Sequence, residues 1–274
     1  MTQTISIATW NVNSIRSRLT HLLEWLDADN APDILCLQEL KTVDEGVPVM
    51  EIEARGYNTA THGQKTYNGV AILSKFPMED VIRGLPGNEE DDQARYIEAV
   101  ISAHGEAVRV ASVYVPNGQA VGSDKFAYKM RFFDFLRQRL QWWQEQNELQ
   151  AMTGDYNVAP TPLDVYAPDK LEGTVCFHPD ERAKLRTLEH LGFYDAYRCK
   201  HPQKQEFSWW DYRGAGWKQN HGLRIDHLLL SPQLQDRLNE AEILTDMRGA
   251  EKASDHAPVV AHVELGLGKT LFAA

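Results

Sequence analysis

Short apolar runs that stop on a carboxylate, amide or imidazole narrow the possible folds of this sequence more than any other feature. Residues 5–10 run into Asn11, 34–38 into Glu39, 108–113 into Tyr114, and 149–154 into Asp155 and then Asn157. Asp226 interrupts the apolar run 223–230, and Asp255 and His256 directly precede 259–263. Runs of this length, bounded by Gly, Pro, Asn or Asp, read as buried strands. Strands are expected over 5–10, 34–38, 70–74, 97–102, 108–115, 149–153, 224–230 and 259–263. A carboxylate beside a buried strand is costly unless it is paired or bound to a cation.

Four stretches carry a helical pattern: 19–29, 125–147, 179–191 and 232–239. In the longest, Phe126, Met130, Phe133, Leu136, Leu140 and Trp143 recur every three or four residues and make one apolar stripe for core packing. Strands outnumber helices, and the helices are scattered between them, which predicts an α/β or α+β protein with layered sheets. No Ser/Gly/Pro-rich linker or internal repeat divides the chain, so a single domain over 1–264 with a frayed tail over 265–274 is expected. The tail's Gly268-Lys269-Thr270 is not a phosphate-binding loop, because Val263 stands where its first glycine belongs. The acidic stretch 87–93 reads as a solvated loop.

Bulk properties exclude several classes. The net charge of -11 argues against a protein that coats nucleic acid by bulk attraction. It leaves room for an enzyme that gathers carboxylates around a divalent cation. No apolar run approaches the ~20 residues of a membrane span. Residues 1–7 lack a basic segment followed by an apolar stretch, so no signal peptide is expected. Cys36, Cys176 and Cys199 suit neither a disulfide framework nor a zinc cluster, which points to a reducing, cytoplasmic setting.

Taken singly, each polar strand end has a bland reading. Gly154-Asp155-Tyr156-Asn157 suits a turn, Gln38-Glu39 a solvated strand end, and Ser254-Asp255-His256 a cap. Asp226 could be locked to Arg224. The coincidence of all of them at strand edges favours one shared cluster. Oxygen ligands without cysteine indicate a hard ion, Mg²⁺ or Mn²⁺, rather than zinc.

The motifs that carry these residues are Thr9-Trp10-Asn11-Val12-Asn13, Leu37-Gln38-Glu39-Leu40-Lys41, Tyr67-Asn68-Gly69-Val70-Ala71 and Val113-Tyr114-Val115-Pro116-Asn117-Gly118. They continue with Gly154-Asp155-Tyr156-Asn157-Val158-Ala159-Pro160, Phe207-Ser208-Trp209-Trp210-Asp211-Tyr212-Arg213, Leu223-Arg224-Ile225-Asp226-His227 and Ser254-Asp255-His256-Ala257-Pro258-Val259. In this order, over about residues 4–264, the chain resembles the exonuclease III type of abasic-site endonucleases, within the endonuclease/exonuclease/phosphatase superfamily. The resemblance implies a four-layer α/β sandwich, with two central mixed β-sheets flanked by helices. It also implies a Mg²⁺-dependent DNA-repair nuclease, with Mn²⁺ as a substitute, that acts as a monomer on double-stranded DNA with abasic sites or damaged 3′ ends.

The implied reaction is in-line attack of water on a backbone phosphorus, which needs a metal, a base and donors for the transition-state charge. Glu39, Asn11 and Asp255 are then expected to hold metal, and Asp155 to be the base. Tyr114 supplies a phenol. Asn157, on the same face as Asp155 in an extended chain, supplies an amide. Adjacent residues of a strand face opposite ways, so the partner of His256 is sought in Asp226 rather than Asp255. Trp209, Leu223 and Ile225 are expected to line a narrow apolar pocket for a flipped-out, baseless sugar. Arg16, Tyr67, Asn68, Arg95 and Asn117 match DNA-facing positions. Asn13 stands where some relatives carry Asp, so the number of metals is open. Residues 163–178 depart most from the enterobacterial-type pattern, and their bulk bears on whether an internal abasic site or a 3′ terminus is accepted. A phosphoinositide phosphatase or sphingomyelinase of the same superfamily would share Glu39, Asp155, Asp226 and His256 but is not expected to carry 207–213. A catalytically dead DNA-binding module would lack a metal or base residue, and none is missing.

Overall fold

The computed structural model describes residues 2–266. Its first sheet contains β1 (Gln3–Asn11), β2 (Ile34–Gln38), β3 (Asn58–His62), β4 (Val70–Ser74), β13 (Leu238–Ile243) and β14 (Val259–Leu265), in the order β13-β14-β1-β2-β4-β3. The second contains β5 (Met78–Arg83), β6 (Tyr96–Ala103), β7 (Glu106–Tyr114), β8 (Leu149–Asp155), β9 (Tyr194–Asp195) and β12 (Asp226–Leu230), in the order β5-β6-β7-β8-β12-β9. A two-stranded ribbon, β10 (Trp209–Trp210) and β11 (Gly222–Leu223), stands apart.

The central strands read as continuous apolar runs because both faces are covered. In β2, Ile34 and Cys36 face the core between the sheets, whereas Leu35 and Leu37 pack outward against Leu22 and Trp25 of α1 (Leu19–Leu26) and Ile52 of α2 (Val49–Glu53). On the second sheet, Ala111, Met152 and Leu229 face out. They meet Phe133, Leu136, Leu140 and Trp143 of α3 (Asp124–Gln146) and Leu185 and Leu188 of α5 (Pro179–Glu189). The result is the expected four-layer order of helices, sheet, sheet and helices. Each fully buried Leu, Ile or Phe contributes about 1.5–3 kcal/mol, so the three apolar seams dominate stability.

Helix α3 keeps close to its expected bounds because both ends are specified. Ser123 accepts the Phe126 N–H at the start, and Asn147 closes the end in the left-handed conformation (φ 51°). The expected helix over 232–239 is corrected: α7 is only Pro232–Gln235, and β13 begins at Leu238. Leu238, Ala241 and Ile243 are buried while Asn239, Glu240 and Glu242 are exposed, and the strand pairs with β14 through a register shift. The open edge of β14 takes up the chain from Leu238 and so ends the helix. β3 and β5 went unread because they are edge strands of mixed polarity with little apolar signal. Leu265 pairs with Gln3 and so belongs to β14, whereas residues 267–274 of the expected tail lie outside the described residues.

Candidate active site

Strand direction gathers the polar ends at one place. β1 and β2 run parallel and finish there with Asn11 and Glu39; β7 and β8 run parallel and finish with Tyr114 and Asp155. β14 and β12 run the opposite way and start there, so His256 and Asp226 arrive at the same end. Tyr114 and Asp226 are the direct cross-strand neighbours of Asp155.

The side chains interlock. Asn11 donates its amide to Glu39 Oε1 (2.8 Å) and Asp155 Oδ2 (3.0 Å), while its Oδ1 accepts the Asn13 N–H (3.0 Å). Asp155 Oδ1 accepts the Asn157 N–H (2.9 Å). His256 Nδ1 faces both oxygens of Asp226 at 2.9 and 3.1 Å, and its Nε2 lies 3.7 Å from Asp155 Oδ2. Ser208 Oγ donates to Asp226 Oδ2 (2.6 Å) and accepts the N–H groups of Ile225 and Asp226. The alternative partner, Arg224, is committed elsewhere, to Asp164 and Asp195.

Burial sets the protonation pattern. Desolvation pushes Asp155 up to about 7; His256 pulls it down, and Asp226 and Glu39 push it further up. Burial alone would lower His256, but Asp226 and Asp155 outweigh it and raise the imidazole to about 10, leaving it protonated at neutral pH. Tyr114 is pushed well above its ordinary value by burial and by the nearby Glu39 and Asp155, so its phenol keeps its proton.

Glu39 and Asp155 each bring a carboxylate oxygen within 4.8 Å of the other and of a His256 ring nitrogen, but the protonated imidazole has no lone pair to give a metal. Two carboxylate oxygens crowded at this spacing fit a hard divalent cation, which would relieve their repulsion. Lys41 already offsets part of it, at 3.0 Å from Glu39 Oε2, and also donates to Asn13 Oδ1. Asp255 lies outside that group: its oxygens accept from Asn13 Nδ2 (2.9 Å) and Trp209 Nε1 (3.0 Å). Asn11 presents its NH₂ to the carboxylates, so it would have to turn its amide over to offer oxygen to a metal.

The cleft, of ≈ 420 Å³, has a polar half and an apolar half, the latter formed by Trp209, Leu223, Ile225, Val175 and Cys176. Trp210 instead packs in the core. Next to it a second cleft, of ≈ 650 Å³, is lined by Tyr67, Asn68, Arg95, Lys125 and Asn117. The Asn68 amide is turned inward onto Gln64 and Gln93, and Arg95 stacks on Tyr114 with its guanidinium carbon 4.7 Å from the ring centre. Asn117 donates to Asn157 Oδ1 (3.0 Å). Arg16 lines neither cleft; it is exposed and donates to the Gly46 carbonyl.

Backbone geometry is unusual where the site lies. Asn13, Glu39, Asn157 and Cys176 have φ of 45°, 54°, 50° and 71°, a region that costs a non-glycine residue roughly 1–2 kcal/mol. Gly154 is required for space, since a Cβ there would lie 1.9 Å from the Val113 carbonyl oxygen on the paired strand. Gly154→Ala is expected to destabilise the protein by about 3 kcal/mol, read as a lower denaturant midpoint at constant slope. An unchanged midpoint would show that β7 and β8 can part without cost.

The comparisons with known proteins agree with this geometry. A family model described as the endonuclease/exonuclease/phosphatase family matches residues 8–256. The chain belongs to that family. The enzyme is 36% identical over 258 residues to the exodeoxyribonuclease III of Haemophilus influenzae, covering 91% of this chain and 96% of that one. A solved 3′ phosphatase from Neisseria, bound to a product DNA hairpin, superposes with a TM-score of 0.92 at 39% identity, over 95% of this chain and 100% of its own. An AP endonuclease from Archaeoglobus fulgidus gives 0.88 at 39%, over 94% and 98%. The enzyme is thus an exodeoxyribonuclease III-type DNA-repair nuclease.

Two participants escaped sequence reasoning. Lys41 and Ser208 sit inside motifs that pointed to the site, but neither stands at a strand end, so nothing marked them as partners of Glu39 and Asp226. Cys176 is legible in the sequence as an unpaired cysteine in a divergent loop, but its place in the cleft depends on a long-range contact with Asn117 and Asn157.

Proposed function

We propose that the enzyme hydrolyses the phosphodiester 5′ to an abasic site in duplex DNA with Mg²⁺, and also processes 3′ ends as a 3′–5′ exonuclease and 3′-phosphodiesterase or phosphatase. The supporting observation is one cleft that joins a base, an imidazolium and a neutral phenol to an apolar wall of Trp209, Leu223 and Ile225.

In this reading Asp155 accepts the proton of the attacking water, held in place by the Asn11 amide and the Asn157 N–H. His256, supported by Asp226, offers Nε2–H to the phosphate oxygens. Tyr114 donates from its phenol. The Asn157 side chain first orients Asp155, since its NH₂ faces Asp155 Oδ2 (3.3 Å) and the Val115 carbonyl (2.9 Å); it reaches phosphate by releasing one of these. Glu39 is assigned to hold Mg²⁺, with Asn11 and Asp255 completing the set after local rearrangement. Mg²⁺ bound there would neutralise phosphate charge. Trp209, Leu223 and Ile225 admit the baseless sugar. Tyr67, Asn68, Arg95 and Asn117 position the DNA strand along the adjoining cleft, with Arg16 outside it. Double-stranded DNA is the partner and a monomer the acting form. No helix among the described residues is long and apolar enough to cross a membrane.

The test uses duplexes with an internal abasic analogue, a recessed 3′ end or a 3′-phosphate. Incision 5′ to the abasic site is expected, abolished by EDTA and restored by excess Mg²⁺. An intact abasic duplex together with turnover of a phosphoinositide or sphingomyelin would replace this reading by the superfamily alternative. The same three rates measure the balance between internal and terminal cutting, which Val175 and Cys176 bear on by narrowing the apolar half of the cleft.

A further inference from the structure

Arg224 lies between two residues that line the apolar half of the cleft, Leu223 and Ile225, yet its own side chain takes no part there. In an extended segment its neighbours face one way and it faces the other. Its guanidinium, 1% exposed, is buried between two carboxylates: Nε donates to Asp164 Oδ1 (2.7 Å) and Nη1 approaches Asp195 Oδ2 (2.7 Å). Nη1 also approaches His227 Nδ1 (3.0 Å). A carbonyl only accepts, so His227 Nε2 donates to the Val158 carbonyl (2.8 Å). The cluster thus reaches the residue next to Asn157.

Asp164 is tied to the cleft wall and Asp195 to the sheet behind it. Asp164 closes a capping box with Thr161, accepts a second arginine, Arg198, and offers its carbonyl to the Arg224 N–H (2.8 Å). It precedes Val165, which bridges to Leu223 and packs with Leu223, Ile225, Cys176 and Phe177. Asp195 is paired to Leu229 of β12 and caps the next short helix at Arg198. Two arginines and two carboxylates balance in charge, and both carboxyls are held below their ordinary range. Such a cluster has little freedom: removing one member strands a buried charge.

We infer that Arg224, gripped by Asp164 and Asp195, is a positioning residue that fixes Leu223 and Ile225 against Cys176 and Val175, and so sets how strictly the cleft separates a baseless sugar from an intact nucleotide. This rests on the abasic-site reading of the cleft. Arg224 touches no reacting atom, and the Asp226–His256 pair has its own side-chain anchor in Ser208, which also holds the Ile225 and Asp226 N–H groups.

The experiment compares wild type, Arg224→Lys and Asp164→Asn on one duplex sequence carrying either an abasic analogue or a normal nucleotide at the same position, with kcat and KM measured for each. The wild type is expected to favour the abasic duplex strongly. In both variants the abasic-to-normal ratio of kcat/KM is expected to fall about tenfold, mainly through a higher KM for the abasic duplex, while the pH profile of kcat stays where it was. Thermal melting selects an assay temperature well below unfolding for all three proteins, and Asp164→Asn, which keeps the Arg224–Asp195 pair, serves if Arg224→Lys does not fold. Rates that fall equally on both duplexes, or an unchanged ratio in a folded variant, would reduce the cluster to a scaffold and overturn the inference. A wild type with no preference for the abasic duplex would overturn the underlying reading instead.

Discussion

Asp155→Asn is expected to lower kcat on the order of 10³-fold, inside the 10²–10⁴ range that a positioned general base supplies, or about 4 kcal/mol of barrier. The substitution removes the proton acceptor and also disturbs its surroundings. Asp155 Oδ2 accepts from the amides of both Asn11 and Asn157. An asparagine must either place NH₂ against those donors or flip and lose the bond from the Asn157 N–H to Oδ1. Single-turnover rates at saturating DNA separate this loss from any effect on binding. The pH dependence gives a second check. Asp155 must be deprotonated to act, and its value of about 7 places the acid limb of kcat/KM near there when little cation is bound. A cation held by Glu39 beside Asp155 favours the charged form of Asp155, so the limb should move to lower pH as Mg²⁺ rises. A variant as fast as wild type, or an acid limb indifferent to Mg²⁺, would remove Asp155 from the role of base.

Asp226→Asn is expected to cost about 10²–10³-fold in kcat/KM, the usual consequence of losing one aligned donor to the transition state. Burial lowers the pKa of His256, and the Asp226 carboxylate is the largest influence raising it. Without that charge the imidazole releases its proton at lower pH. The alkaline limb, set in the wild type by a group near 10, should therefore fall by about 1–3 pH units, which is measurable with substrate well below KM. Because Asp155 and His256 interact, the limbs belong to the pair as much as to either residue. The discriminating result is which limb moves. A shift of the acid limb alone would contradict the Asp226–His256 pairing as the source of the imidazolium.

Much of this arrangement was legible in the sequence, for a physical reason. A polar residue that ends an apolar strand has few ways to be tolerated, so Asn11, Glu39, Asp155, Asp226 and His256 announced a shared location before any contact was known. The strand alternation rule also separated Asp255 from His256, and the structure shows them with different partners: Asp255 with Asn13 and Trp209, His256 with Asp226. Side-chain commitments were not legible. Nothing local indicates that the Asn68 amide also reaches Gln93, which depends on which loops meet. The Asn11 oxygen accepting the Asn13 N–H is instead an Asx turn within one segment. The edge strands β3 and β5 were lost because a half-solvated edge needs no apolar run. The helix expected to reach Asn239 stops at Gln235 because pairing to β14 takes over from Leu238.

The first sheet is assembled from both ends of the chain, with β13 and β14 returning to pair beside β1, in register from Gln3↔Leu265 to Thr9↔Val259. His256 enters the site only through that closure, whereas Tyr114, Asp155 and Asp226 come from the other sheet. During synthesis on the ribosome, the nascent chain therefore carries its base and its phenol long before the imidazolium can be seated. Competence to cut should appear late and abruptly, when β14 leaves the exit tunnel and zips onto β1. A truncated product ending before β14 would lack nuclease activity even if its remaining strands were folded.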